Sequence, residues 1–138
     1  MLDVQAHTDA SSAGLWAVVS DLTAWPQHLP TVDALTPLQT TEPAVGARYR
    51  VRQPGLPPAT WRITEWEPLR GFTWVSRTVG LTTTATHHIV ADEDGCALRL
   101  TLDWRGPLAW LVRRRWAGLG TDYLTTEATT FAALAARP

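Results

Sequence analysis

Lysine is missing altogether: all twelve basic residues are arginine, which we read as a coding bias without functional weight. A single cysteine, Cys96, rules out an internal disulfide and a thiolate metal cluster. At the start of a strand it reads as a small packing residue, because a reactive thiol needs a tuned electrostatic setting. No apolar run approaches the ~18 residues of a bilayer-spanning helix. Residues 1–8 lack a basic segment followed by an apolar one, so no signal peptide is expected and the cytoplasm is the expected compartment. Net charge is −1, which gives no strong pull toward nucleic acid or an anionic membrane. There is no Gly-rich phosphate loop, metal-ligand spacing or nucleophile elbow, so neither metal nor cofactor is expected.

What is present is tryptophan. Eight Trp in 138 residues exceed what a core of this size needs, and 45% apolar residues mark an ordinary globular chain. The length fits one domain, residues 1–138, with enough chain to bury a real core.

Hydrophobic periodicity places the elements. Leu2, Val4 and Ala6 alternate with polar residues, which predicts a half-buried strand. Asp9 or Ser11 can cap a following helix whose inner face is Leu15, Trp16, Val19 and Leu22. Trp25-Pro26 and Leu29-Pro30 are expected to stop it, because the residue before proline avoids helical backbone. Val32 to Thr40 reads as extended, with Pro37 pointing to an edge or a bend. Tyr49 and Val51 alternate with three arginines. After the stiff Pro54–Pro58 loop come Trp61 and Ile63, a turn at Pro68–Gly71, and a strand sharing Phe72, Trp74 and Ser76 on one face. Leu81 to Val90 is a Thr-rich strand of undecided phase. Asp94-Gly95 is a hairpin signal, as both residues tolerate positive φ. Leu98, Leu100, Leu102 and Trp104 alternate beyond it. Gly106-Pro107 opens the last helix, with proline expected in its first turn. Gly118 and Gly120 are expected to bend or loosen it. The order is strand, helix, short helix, about six strands and a long helix, and the hairpins make the sheet antiparallel.

The closing helix carries the most informative residue. Leu108, Val112, Trp116, Leu119, Tyr123, Glu127, Phe131 and Leu134 recur at three- and four-residue steps, which is one face of an amphipathic helix. Glu127 is a carboxylate in an apolar stripe. Burial would raise its pKa and make it a candidate acid or base. The alternatives are an ion pair with a strand residue, or a helix rotation that frees it to solvent. Trp61, Ile63, Phe72, Trp74, Leu100, Leu102 and Trp104, with Trp116 and Tyr123 from the helix, face inward together. They either fill a core or wall a pocket for a small, mostly apolar molecule. His87 and His88 point to opposite strand faces, so they cannot chelate one metal from the same side. If His87 shares a face with Ile89 it is the inward one, and a donor or base near neutral pH. Tyr49 and Ser76 could donate to a carbonyl, and Arg77 only if its strand turns it inward. Glu65 joins the face of Trp61 and Ile63 only if that strand stays regular. Arg113–Arg115 beside Trp110 read as a solvated helix flank or a lipid-surface contact.

Trp16–Leu22 with Trp25-Pro26 and Pro30, Val45–Tyr49, Trp61–Pro68, Phe72–Trp74, His87–Ile89, Asp94-Gly95, Gly106–Leu108 and Glu127 occur in an order that resembles the START-like helix-grip superfamily, in its small bacterial polyketide cyclase/dehydrase-like (SRPBCC) branch. The resemblance covers nearly the whole chain. It implies an α+β helix-grip fold: a curved seven-stranded antiparallel sheet around a long C-terminal helix, with two short helices after the first strand. It also implies a cavity for a hydrophobic, lipid- or polyketide-like ligand. Three functions remain open under that fold. One is simple ligand binding. Another is a cyclase, aromatase or dehydratase acting on a carbonyl compound, with Glu127 or His87 moving the proton and Tyr49 or Ser76 donating. The last is a regulatory or partner-binding module, a homodimer included.

Overall fold

The computed structural model describes residues 1–39 and 42–137. Seven strands form one antiparallel sheet: β1 (Leu2–Thr8), β2 (Ala34–Leu38), β3 (Arg48–Arg52), β4 (Ala59–Glu67), β5 (Gly71–Thr78), β6 (Leu81–Asp92) and β7 (Gly95–Arg105). Their spatial order is β1-β7-β6-β5-β4-β3-β2. The strands from β2 to β7 follow one another as a meander, and β1 closes against β7 with Leu2 opposite Leu102 and Thr8 opposite Cys96. Helix α1 (Ser12–Val19), a 3₁₀ turn (Leu22–Ala24) and the one-turn helix α2 (Trp25–His28) join the two edge strands. The long helix α3 (Ala109–Ala135) packs on β1, β7 and α1. This is the helix-grip fold.

Local chemistry accounts for the boundaries. Of the two capping candidates Ser11 is the one used, its hydroxyl accepting from the Gly14 N–H at 3.1 Å. Trp25-Pro26 does not stop α1, which ends at Val19; it opens α2, where proline lacks only an N–H that has no partner in a first turn. Leu29, extended at φ −105°, does end that helix before Pro30. Pro37 lies on the edge strand β2. The extended stretch expected from Val32 runs on to Thr40, which lies outside the described residues.

One other expectation is corrected: Pro107 precedes α3 rather than occupying its first turn, and Leu108 is the N-cap. The helix runs unbroken through Gly118 and Gly120. Gly120 serves close packing: a Cβ there would stand 2.9 Å from Leu2 Cδ1 and 3.5 Å from the Trp104 ring. At the β6–β7 hairpin only Gly95 takes positive φ; Asp94 does not, and its N–H is held by the Asp92 carboxylate at 3.0 Å. Thr121, Thr125 and Thr129 on the exposed face of α3 each donate to the carbonyl four residues back, which satisfies their hydroxyls within the helix.

Candidate functional site

The inner face of the sheet divides along the strands into a solid half and a hollow half. One row across the sheet, Leu100–His87–Phe72, is buried beneath Trp25 and Phe131. The next rows, Leu102–Ala85–Trp74 and Trp104–Thr83–Ser76, line a cavity of about 340 Å³ between the sheet and α3. Val51, Ala59 and Trp61 continue that wall on β3 and β4. Val112, Trp116, Leu119, Tyr123 and Glu127 of α3 form the opposite wall. The loop between β3 and β4 covers one flank: the Tyr123 hydroxyl donates to the Pro54 carbonyl.

The expected inward residues therefore separate. Trp61, Trp74, Ser76, His87, Leu102, Trp104, Trp116, Tyr123 and Glu127 line the cavity. Tyr49, Ile63, Phe72 and Leu100 do not; they lie in the packed core, at 1% exposure or less. Tyr49 is thereby removed as a donor to a ligand, whereas Ser76 stays available. Glu65 is exposed because the β4–β5 register shifts between Ile63 and Glu65, and the bulge turns Trp66 inward instead. Trp66 packs edge-on to Trp16, with ring centroids 4.9 Å apart. Arg77 points out to solvent. Arg113 donates to the Trp104 carbonyl at 2.6 Å, and the Arg115 guanidinium lies 5.4 Å from the Trp116 ring. The first of these contacts ties the start of α3 to β7. Trp110 is 61% exposed. Buried Cys96 donates weakly to the Ala10 carbonyl, and burial raises its thiol pKa, the setting of a packing residue.

The sequence marks Trp25 only as a helix stop, yet it forms the cavity floor. Its indole N–H donates to the Val19 carbonyl at 3.0 Å. Its ring touches Phe72, Trp74, His87 and Phe131. An aromatic residue just before proline is a weak signal for such a role. Thr83 was also missed, because a run of threonines has no phase of its own.

Two ionisable groups sit at the border of the solid and hollow halves. Glu127 is 8% exposed and forms no hydrogen bond or ion pair among the described residues. Burial alone pushes its pKa up to about 8, so it carries its proton at neutral pH. His87 does share the inward phase, and His88 is exposed. Its ring stacks on Phe72, centroids 4.2 Å apart and planes 8° from parallel, and its Nδ1 has no hydrogen-bond partner. Burial lowers its pKa to about 3, against an opposing contribution from the Phe72 backbone. It is a neutral hydrogen-bonding group, not the base near neutrality that its residue type had suggested. Among the described residues no three His, Cys, Asp or Glu side chains gather to hold a metal.

A curved sheet gripping a long helix over an indole-walled cavity defines a helix-grip pocket protein. The chain belongs to the polyketide cyclase / dehydrase and lipid transport family, whose model matches residues 2–135. Solved structures share the fold. StfQ, a di-domain ARO/CYC from the steffimycin biosynthetic pathway, superposes with a TM-score of 0.77 at 10% identity, over 97% of this chain and 49% of that one. This chain thus spans about half the length of StfQ, at 49%. A Thermobifida fusca protein gives 0.73 at 18% identity, covering 96% and 93% of the two chains. A norcoclaurine synthase point mutant from Thalictrum flavum, in complex with a transition-state analogue, gives 0.71 at 16% identity, covering 97% and 92%. At these identities the likeness is one of fold. Comparison with curated proteins finds no match. No helix among the described residues is long and apolar enough to cross a membrane.

Proposed function

We propose that this domain, working in the cytoplasm, binds one small hydrophobic or aromatic molecule between its sheet and α3. The observation that carries this reading is the cavity of about 340 Å³ with its aromatic walls. Folding normally fills such a space, since empty volume forfeits packing contacts. This one is roughly twice the ~150 Å³ cavity that accepts a benzene ring, so its guest is about two rings in size.

An acid–base reaction on a carbonyl compound is the second reading, and Glu127 favours it. A carboxyl that keeps its proton at neutral pH can donate to a carbonyl oxygen and polarise it. Ser76 can supply a second donor. His87 would orient rather than exchange protons.

Native mass spectrometry with extraction of co-purifying molecules tests the binding reading. Titration of tryptophan fluorescence with naphthalene derivatives adds to it. Saturable quenching is expected, and Ala85→Trp, which fills the hollow, should abolish it. Quenching that survives in Ala85→Trp would place binding elsewhere and refute the reading. For the second reading, Glu127→Gln should lose turnover of a ketone substrate while keeping its affinity.

A further inference from the structure

The cavity lining is electrically lopsided. Besides the Tyr123 phenol, its ionisable side chains are Glu127 and His87, and none of the twelve arginines lines it. A carboxylate, phosphate or sulfate inside would meet an acid, a neutral imidazole and no cation. Burying such a charge unpaired is strongly unfavourable. A cation finds the reverse. Glu127 has no partner among the described residues, is more than nine-tenths buried and faces the space. Trp61, Trp74, Trp104, Trp116 and Tyr123 surround that space, and aromatic rings attract cations over their faces. Arg115 lies 5.4 Å from the Trp116 ring but is exposed and outside the lining, so Trp116 contributes least to such a cage.

We propose that the ligand is a protonated amine on an aromatic or cyclic skeleton of about two rings, held by Glu127 as counter-ion within a cage of indoles. This rests on the ligand-binding reading above and adds the sign of the ligand's charge. It also explains why a carboxyl is kept in an apolar stripe with nothing to pair it. The partner arrives with the ligand.

The proton balance follows. Free Glu127 is mostly protonated at neutral pH. An entering ammonium keeps its own proton and pairs with the carboxylate, so the Glu127 proton leaves to the buffer. Among the described residues no other acid lines the cavity; Asp33, which after burial and together with Glu127 raises the Tyr123 phenol, stands outside the lining. His87 of β6 is neutral, and α1 carries no charged residue. The charges of β1 and β7 are taken up in exposed pairs: Asp3 with Arg99, His7 with Asp9 and Asp92, and Asp103 with Arg105.

The test uses four naphthalene probes of one skeleton: naphthylethylamine, naphthylethanol, acetonaphthone and naphthylacetate. Calorimetry at neutral pH in phosphate and in Tris separates binding heat from proton release. The amine should bind at least about tenfold more tightly than the alcohol or ketone, and naphthylacetate most weakly. Amine binding should release about one proton, and its affinity should rise roughly tenfold from pH 7 to pH 9 as Glu127 ionises. Glu127→Gln should erase the preference, the proton release and the pH dependence, and leave the alcohol's affinity in place. Equal or tighter binding of the alcohol or ketone overturns the cationic ligand but not the pocket. So does an amine preference that survives in Glu127→Gln. If none of the four probes binds, the ligand-binding reading itself falls.

Discussion

Replacing Glu127 by Gln removes a group whose proton equilibrium differs between the folded and unfolded chain. Its pKa is about 8 when folded, against an ordinary 4.5. Below about pH 4.5 the carboxyl is protonated in both states and imposes no penalty. As pH rises further the unfolded chain ionises first, so stability falls by about 1.4 kcal/mol per pH unit until the folded group also ionises. His87 works in the opposite sense. Its folded pKa of about 3 lies below the ordinary 6.5, so the unfolded chain binds the extra proton between those values and stability rises with pH. From about pH 4.5 to 6.5 the two slopes cancel. The parent protein should therefore hold a level stability across that window, then lose about 2 kcal/mol by pH 8. Glu127→Gln should instead gain about 3 kcal/mol across the window and above it lose only what both proteins lose. At neutral pH the variant should be the more stable by about 3 kcal/mol. His7, raised by its hydrogen bonds to Asp9 and Asp92, gives stability that is lost as pH rises through its folded pKa. Both proteins share that loss, so it drops out of the difference. Urea unfolding followed by tryptophan fluorescence, at half-unit steps of pH, reads the curves directly. Parallel curves for parent and variant would refute the placement of Glu127 in a dry, unpaired setting.

Other substitutions probe the scaffold. Gly118→Ala meets nothing within 4 Å and sits inside α3, so it should stabilise by about 1 kcal/mol, seen as a higher Tm. Leu69 takes φ 71° in the turn after Pro68, where a side chain is strained, and Leu69→Gly should raise stability by up to about 1 kcal/mol in the same assay. Tyr123→Phe cuts the tie to the Pro54 carbonyl. It should cost about 1 kcal/mol and speed ligand release in stopped-flow fluorescence, because the loop beside the cavity is freed. An unchanged release rate would show that this loop does not gate the cavity.

Much of the fold was legible because it rests on short-range patterns. Period-two alternation marked β1, β3, β5 and β7, and the stripe from Val112 to Leu134 fixed the inner face of α3, Glu127 included. The inward phase of β6 was legible only conditionally, through His87 and Ile89. Failures occurred where one backbone event overrides a pattern. The bulge after Ile63 exchanged Glu65 for Trp66 on the inner face, and no residue type there announces it. Trp25-Pro26 can end one helix or begin the next, and the choice depends on where the chain must turn back over the sheet.

The division between core and cavity was not legible at all, and the reason is geometric. Phe72 and Trp74 are alternate residues of one strand on one face, as are Leu100 and Leu102. Each pair splits: the first member is packed under Trp25 and Phe131, and the second faces open space. Periodicity gives the face of a residue, but what covers that face depends on where α1, α2 and the far end of α3 come down. Those elements fill the half beyond His87 and leave the other half to Gly120, Trp116 and Val112. The position of Glu127 follows from this boundary. One turn further along α3, Phe131 is fully buried in the solid half, where a carboxyl would have no room to meet a partner. One turn earlier, Tyr123 is half-exposed, and a carboxyl there would be solvated and ordinary. Only at the border can an acid be both dry enough to shift its pKa and open enough to meet a guest. That is why a single residue of the helix stripe combines a raised pKa with a place on the cavity wall.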